Sequence, residues 1–195
     1  ADRRQRQMCI RDRDEPYRDI LFDGYAAAST LQAYRNAIVL SSYSKSLSLA
    51  GERIGFMAVH PEMEGKAELL NALTLANRIL GFVNAPALMQ RVVAELQEVT
   101  VDSSIYARRR ELFRQILDDA GFEYELPRGA FYFFPKSPIE DDVEFCGILQ
   151  QQKILAVPGR GFGAPGYFRL AFAVPDDVIE RSADGFSEAI RKIAI

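Results

Sequence analysis

Asn36-Ala37-Ile38-Val39-Leu40-Ser41-Ser42-Tyr43-Ser44-Lys45 is the stretch that decides how this chain folds. It begins with a short apolar run that is bounded by polar residues, which predicts a buried strand over 36–43. A lysine stands at the end of that strand, among hydroxyl side chains. Arg53 follows inside Gly51-Glu52-Arg53-Ile54-Gly55. A lysine followed by a glycine-bracketed arginine suits an amine nucleophile beside a phosphate site, and an ordinary surface lysine with its stem on apolar neighbours is the alternative.

Strand and helix signals alternate along the rest of the chain, which is typical of an α/β protein. Further strands are predicted at 53–60, 130–134, 154–157 and 167–173. Helices are predicted at 61–80, from 84–86 onward with Pro86 in the first turn, at 103–120, near 141–151, and from about Asp176. We divide the chain into a leader at 1–13, a first unit at 14–100 and a second compact unit at 101–195.

Length, charge and composition limit the class of function. The chain has 195 residues, 48% of them hydrophobic, so it is long enough to bury a core. Its net charge of −3 argues against a nucleic-acid partner, which needs clustered positive charge. Two distant cysteines and one histidine argue against a disulfide framework, a metal site and a histidine-based triad. Since no apolar run approaches the length of a membrane span, we expect a cytoplasmic protein without a membrane partner.

Residues 1–13 are polar and rich in arginine, with neither a helical nor an alternating period. They predict a non-native or disordered leader rather than a nucleic-acid-binding arm, because no aromatic residues are interleaved with the basic ones. The substring Met8-Cys9-Ile10-Arg11-Asp12-Arg13 also resembles a translated sequencing adapter. We therefore expect a foreign leader fused to a truncated reading frame.

Two further patterns carry residues suited to chemistry. Asp14-Glu15-Pro16-Tyr17 places a carboxylate and a phenol on one proline-stiffened turn, from which both can reach a flat ligand. Pyridoxal phosphate is such a ligand, since it needs an acid at its ring nitrogen and a donor at its ring oxygen. Arg169 lies within an apolar strand, where a guanidinium needs an anionic partner. That partner is either a substrate carboxylate or an internal salt bridge.

Two other patterns have simpler interpretations. The loop 158–166 has the glycine spacing of a dinucleotide-binding motif, but a strand rather than a helix follows it. A loop that closes over a site next to the Arg169 strand is the better interpretation. The run Arg108-Arg109-Arg110 lies mostly off the apolar stripe of the helix 103–120 and predicts a solvated face.

Together these motifs resemble the class I/II aminotransferase family of fold-type-I pyridoxal-phosphate-dependent enzymes. The matching patterns, in order, are Asp14-x-x-Tyr17, Ser42-x-Ser44-Lys45 with Gly51-x-Arg53-x-Gly55, Gly129-Ala130-Phe131-Tyr132, Pro158-Gly159-x-x-Phe162-Gly163 and Arg169-Leu170-x-Phe172-Ala173. The resemblance implies an α/β fold, with a partial large-domain sheet and an α/β small C-terminal domain. It also implies that roughly the first half of a family member is absent, which would leave an apolar face uncovered.

The resemblance implies a role for each matched residue. Lys45 would form a Schiff base with pyridoxal 5′-phosphate and shuttle a proton, and Tyr17, also assigned to catalysis, would hydrogen-bond the ring oxygen. Asp14 would pair with the ring nitrogen, and Arg169 would bind the α-carboxylate of the substrate. The residues assigned to the phosphate are Ser42, Ser44 and Arg53.

The implied activity is transfer of an amino group between an L-amino acid and a 2-oxo acid, by an enzyme that is a homodimer at full length. Two alternatives stay open. One is a pyridoxal-phosphate-dependent carbon–sulfur β-lyase of the same fold, because substrate specificity depends partly on the absent half. The other is a catalytically inactive fragment, because the wall opposite the lysine would be missing.

Overall fold

The central strand of the first sheet is the apolar run of the sequence. In the computed structural model, which describes residues 9–193, it forms β2, Ala37–Ser42. β1, Arg11–Asp14, pairs with β2 in parallel, and β3, Gly55–Val59, pairs with it antiparallel. The first three residues of β2 are buried, which agrees with the prediction of a buried strand.

Short and long helices accompany this sheet. They are α1, Thr30–Ala33; α2, Tyr43–Ser46; α3, Lys66–Ile79; and α4, Ala87–Glu95, with a 3₁₀ turn at Ala50–Glu52. The helix predicted over 61–80 starts only at Lys66, because Gly65 has a left-handed φ of 68° that an α-helix does not accommodate. Pro86 is the N-cap of α4 rather than a residue of its first turn.

β1 corrects the prediction that no regular structure precedes Asp14. Residues 11–13 fall within the predicted leader, yet they form a strand in which every residue is exposed. Main-chain pairing with β2 holds this strand, and the Arg11 N–H also donates to the Asn36 carbonyl at 2.9 Å. Main-chain pairing does not require apolar side chains at alternate positions, so the polar residues 11–14 did not indicate a strand. The foreign origin of 1–13 stays a prediction, and residues 1–8 lie outside the described residues.

The chain divides into two compact units between Val101 and Asp102. The second unit contains a sheet with strand order β4-β6-β5, formed by β4, Tyr132–Phe133; β5, Val157–Pro158; and β6, Phe168–Ala171. Both pairings are antiparallel. Its helices are α5, Ser103–Asp119; α6, Asp142–Gln151; α7, Asp176–Glu180; and α8, Ala183–Ile193, with a 3₁₀ turn at Gly159–Phe162.

Phenylalanine rings form the core of the second unit. Phe122 contacts three of them, with ring centroids 5.6 to 5.9 Å apart. The phenylalanines with no exposed surface are Phe133, Phe145, Phe168, Phe172 and Phe186. Along β6, Phe168 and Leu170 are buried, whereas Arg169 and Ala171 alternate with them on the other face of the sheet.

Two element boundaries in this unit differ from the sequence prediction. The strand predicted over 154–157 starts at Val157, because Lys153 adopts φ 63° and the Ile154 N–H donates to the Leu149 carbonyl to close α6. The single final helix is divided into α7 and α8, because Ser182 turns back and donates to the Ile179 carbonyl through its N–H and its hydroxyl.

The arginine triplet of α5 is not a solvated face, which corrects the prediction. Arg108 and Arg109 each donate through Nε to the carboxylate of Asp176, at 2.9 Å. These contacts hold the pKa of Asp176 below its ordinary value, and the hydrogen bond from Arg109 contributes most. Arg110 is buried and donates to the Pro127 carbonyl at 2.9 Å. All three arginines therefore fasten α5 to its neighbours within the second unit.

Candidate active site

An open cleft of about 740 Å³ lies at the end of β2 in the first unit. Its lining includes five of the predicted site residues, namely Asp14, Ser42, Ser44, Lys45 and Arg53. The lining also includes residues that no sequence motif had singled out, among them Asp12, Phe56 and Asn77. Within residues 9–193, no group of three metal-ligating side chains that could hold an ion is found.

The turn that carries Lys45 is held by hydrogen bonds that residues distant in the sequence donate to a main-chain carbonyl. Lys45 is half-buried on α2, which starts directly after β2. The carbonyl of Ser46 accepts from the Val101 N–H at 2.7 Å and from the Thr100 hydroxyl at 3.2 Å. The sequence could not reveal Thr100 and Val101, because their role depends on the carbonyl they meet and not on a motif.

A buried glutamate next to Asp14 fixes the turn after β1. The side chain of Glu15 is 4% exposed and lies 3.3 Å from Arg13 Nε and 3.1 Å from Arg18 Nη1. The Thr30 hydroxyl donates to the same carboxylate at 3.1 Å. Because Glu15 points inward, its neighbour Asp14 is left at the cleft. Glu15 was not selected from the sequence, although it is the residue that orders this turn.

Tyr17 lies beside the lysine rather than in the lining of the cleft. Its ring centroid is 5.9 Å from Lys45 Nζ, within the range of a cation–π contact. The structure thus brings Tyr17 and Lys45 together from two separate segments. The hydrogen bond assigned to the Tyr17 hydroxyl stays a prediction.

Arg53 and Gly55 shape the other end of the cleft. Arg53 has a left-handed φ of 52°, and its Nη1 donates to the Ala50 carbonyl at 2.8 Å. Gly55 pairs with Ser42, and a Cβ at Gly55 would lie 2.6 Å from the Ser41 carbonyl oxygen. The close approach of the two strands therefore requires glycine at 55. Gly51 meets no such restriction, because no neighbouring atom would lie within 4 Å of its Cβ.

The polar and charged side chains of this cleft fit pyridoxal phosphate. A carboxylate, an amine, two hydroxyls and a guanidinium match the ring nitrogen, the aldehyde and the phosphate of that cofactor. Within residues 9–193, neither Asp14 nor Arg53 forms an ion pair. Their charges are therefore not neutralised by a partner in the described part of the chain.

Arg169 lies on β6 of the second unit. Its Cζ stands 4.3 Å from the ring centroid of Phe162 and 4.6 Å from that of Tyr132. No carboxylate of the described residues lies within ion-pair distance of it, so the internal salt bridge left open by the sequence is not found there. Its assignment to a substrate carboxylate stays a prediction.

Comparison with known proteins identifies the family. A sequence model of the family described as "Aminotransferase class I and II" matches residues 13–186. The chain belongs to this family. It is 32% identical over 181 residues to an LL-diaminopimelate aminotransferase of Dehalococcoides mccartyi, covering 86% of this chain and 45% of that protein. It is 30% identical over 193 residues to an aspartate aminotransferase of Pyrococcus abyssi, covering 92% and 48%.

A solved structure supports the same relationship. An aminotransferase of Eubacterium rectale superposes with a TM-score of 0.89 at 39% identity, over 93% of this chain and 46% of that one. The predicted resemblance and fold class, that of the fold-type-I pyridoxal-phosphate-dependent transferases, are thereby confirmed. Pyridoxal phosphate is the cofactor of this family. The chain spans about half the length of the relatives it matches.

Proposed function

We propose that this chain is the C-terminal half of a pyridoxal-phosphate-dependent aminotransferase that moves an amino group between an L-amino acid and a 2-oxo acid. The observation that carries the proposal is the cleft shared by Lys45, Asp14, Arg53 and the two serines at 42 and 44. Membership of the family supports it. The β-lyase alternative is not favoured, because the relatives described above are all named as aminotransferases.

The residues of the cleft divide the chemistry between them. Pyridoxal phosphate, when bound, supplies an electron sink for charge that develops on the substrate α-carbon. The amine of Lys45 takes the proton from that carbon and returns it, and its half-buried position keeps part of the water away. The carboxylate of Asp14 accepts a hydrogen bond from the protonated ring nitrogen. The hydroxyl of Tyr17 donates to the ring oxygen.

Binding of the anionic groups falls to the remaining predicted residues. Ser42 and Ser44 donate hydroxyl hydrogen bonds to the phosphate, and the guanidinium of Arg53 adds a positive charge there. Arg169 binds the α-carboxylate of the substrate, for which a planar guanidinium suits a two-point contact. These roles position the amino acid and the cofactor without requiring a metal ion.

We further propose that the intact enzyme is a cytoplasmic homodimer and that the isolated chain is inactive. The thiols of Cys9 and Cys146 are not joined in a disulfide with one another, which supports a reducing compartment. Exposed apolar side chains support the need for further polypeptide, since α3 buries none of its residues and Ile79 and Phe82 are each 75% exposed. Across residues 9–193, no helix combines the length and apolar character needed to cross a membrane.

Cofactor capture tests the proposal in the chain itself. Pyridoxal phosphate is added to the 195-residue chain, borohydride fixes it, and peptide mass mapping locates the label. We expect a visible absorbance band that borohydride removes and a label concentrated on Lys45. The Lys45→Ala variant should lose both, whereas Lys136→Ala, which removes an exposed lysine, should lose neither. A label spread evenly over the lysines, or a band that persists in Lys45→Ala, would contradict the assignment.

The type of reaction is tested in the intact protein. Incubation with L-aspartate and 2-oxoglutarate should produce glutamate without ammonia or pyruvate. Release of ammonia and pyruvate instead would favour the lyase.

A further inference from the structure

We propose that Tyr132 and Phe162 are positioning residues, whose ring faces hold the guanidinium of Arg169 ready for a carboxylate. The inference rests on the proposed function, in which Arg169 binds the α-carboxylate of the substrate. It adds two residues that touch neither the reacting atoms nor the cofactor in that proposal.

The sheet of the second unit places these side chains on one face. Arg169 alternates with the buried Phe168 and Leu170, so it lies on the face turned away from the phenylalanine core. Tyr132 pairs with Ala171, two residues beyond Arg169 on β6, which puts Tyr132 diagonally next to the arginine. The Arg169 Cζ is 4.6 Å from the Tyr132 ring centroid and 4.3 Å from that of Phe162, well within cation–π range.

Holding an arginine with rings differs from holding it with a carboxylate. Arg109 and Arg160 of the same unit are held by carboxylates, at 2.9 Å from Asp176 and 2.8 Å from Asp142. Such bonds occupy N–H donors. A ring face attracts the positive charge but contains no oxygen acceptor, so the donors of Arg169 are kept for an anion. Within residues 9–193, no carboxylate forms an ion pair with Arg169.

The turn that carries Phe162 is itself fastened. The fully buried carboxylate of Asp142 accepts from the main-chain N–H of Arg160 at 2.9 Å and from its Nε at 2.8 Å. At the start of the turn, a Cβ at Gly159 would lie 2.3 Å from the Ala164 carbonyl oxygen. Phe162 is 49% exposed although its backbone is fixed. The ring meets Phe134 edge-on at 6.1 Å and presents a face to the Arg169 guanidinium.

Nitrogen-15 NMR of the arginine side chains tests the proposal on the 195-residue chain, with sodium propionate as the probe. The Nε–H signal of Arg169 is assigned through its loss in Arg169→Lys. We expect propionate to shift this signal in a saturable way. Phe162→Leu and Tyr132→Leu should each weaken the apparent affinity about threefold, and Phe162→Tyr should retain it.

Tyr167→Leu is the matched control. Tyr167 stacks on Phe134, with centroids 5.7 Å apart, and Phe134 in turn meets Phe162 edge-on at 6.1 Å. Among the described residues, the rings that face the Arg169 guanidinium are those of Tyr132 and Phe162. The Tyr167→Leu variant therefore tests whether the packing around Phe162 matters apart from its contact with the cation. It should leave the propionate affinity unchanged. The amide spectrum of each variant shows whether the second unit is folded. The Arg169 signal without propionate gives a second measurement, since loss of a ring should move it toward the position of an exposed arginine.

The outcomes separate the two proposals. If both leucine variants fold and bind propionate as tightly as the unsubstituted chain, the positioning role is wrong and Arg169 remains the carboxylate site. If propionate does not shift the Arg169 signal in the unsubstituted chain, the positioning role and the substrate role of Arg169 both fail. The cofactor role of Lys45 is judged independently by the borohydride experiment.

Discussion

The two units of this chain treat their apolar side chains in opposite ways. In the second unit, α5 buries Phe113 and Leu117 against a core of phenylalanines. In the first unit, α3 has no buried residue, and Leu75, Ile79 and Phe82 are between 59% and 75% exposed. The second unit therefore buries a phenylalanine core, although Leu155 at its surface is 81% exposed, whereas the first unit leaves Leu75, Ile79 and Phe82 largely in contact with water.

The candidate site lies in the unit that has the more exposed apolar side chains. The cleft with Lys45 belongs to the less buried unit, at the end of a strand whose partner β3 exposes Phe56 and Met57. A sheet in an α/β protein normally has layers packed on its faces. The part of the chain that carries the candidate site is therefore the part in which α3 and β3 leave apolar side chains exposed.

The largest expected effect comes from removing one phenylalanine ring in each unit. Phe186→Ala should lower the free energy of unfolding of the second unit by about 3–5 kcal/mol, because the ring is fully buried. Phe82→Ala removes the same group where it is 75% exposed and should change stability by less than about 0.5 kcal/mol. Urea titration followed by hydrogen exchange on peptides of each unit measures both. Equal losses of unfolding free energy in the two variants would show that the two units do not differ in how they bury apolar side chains.

The second-largest expected effect is a difference in the rates at which the two cysteine thiols are modified. Burial raises the pKa of Cys146 to about 11, and Asp142 adds to the shift, whereas Cys9 is exposed. At pH 8 a thiol of that pKa is ionised to about one part in a thousand, so a thiol-specific disulfide reagent should modify Cys9 at least about 100-fold faster. In denaturant the two rates should converge. Rapid modification of Cys146 in the folded chain would show that the second unit opens readily.

A glycine pair tests whether the first unit is closely packed at its cleft. Gly55→Ala should cost about 1–3 kcal/mol and reduce labelling of Lys45 by pyridoxal phosphate, because the added methyl meets the Ser41 carbonyl. Gly51→Ala is the control, with open space around the new methyl, and should affect neither. Hydrogen exchange in β2 and mass mapping of Lys45 report the two effects. Tolerance of Gly55→Ala would indicate that β2 and β3 separate easily.

The smallest expected effect is a dependence on pH in the second unit. The Arg160 side chain, followed by its main-chain N–H, holds the pKa of Asp142 below its ordinary value. A lowered carboxyl pKa contributes stability above the ordinary value of about 3.9 and loses it as the pH falls through the folded value. Asp142→Asn should therefore be less stable at pH 7, and the difference should shrink below about pH 4.

Thermal unfolding across that pH range checks the prediction, with Asp119→Asn as the exposed control. The control should track the unsubstituted chain at every pH. A stability difference between Asp142→Asn and the parent that stays constant down to acid pH would contradict the ionic role of Asp142.

Local signals explain which elements could be predicted from the sequence. α5 and α6 have the expected bounds within one or two residues, because Asp102 and Asp141 cap them through their side chains. β2 was predicted from its apolar run. β1 was missed because its polar residues are held by main-chain pairing with β2, some 25 residues later in the chain, and by side-chain bonds of Arg13 to Glu15 and Thr30. The burial of Arg110 was missed because its acceptor, Pro127, lies outside the helix.

Motifs in the amino-acid sequence were enough to predict the family, which the family model confirms, and to predict the residue types of the candidate site. The resemblance to the family, carried by short motifs, implied site roles for Asp14, Lys45 and Arg53, and a carboxylate, an amine and a guanidinium are residue types that suit the cofactor's ring nitrogen, aldehyde and phosphate. Only the tertiary structure decided that Glu15 is the buried carboxylate of its turn and that Phe162 stands over Arg169. Those contacts join side chains that meet only when the chain is packed. No motif or hydrophobic periodicity in the sequence predicts such a meeting.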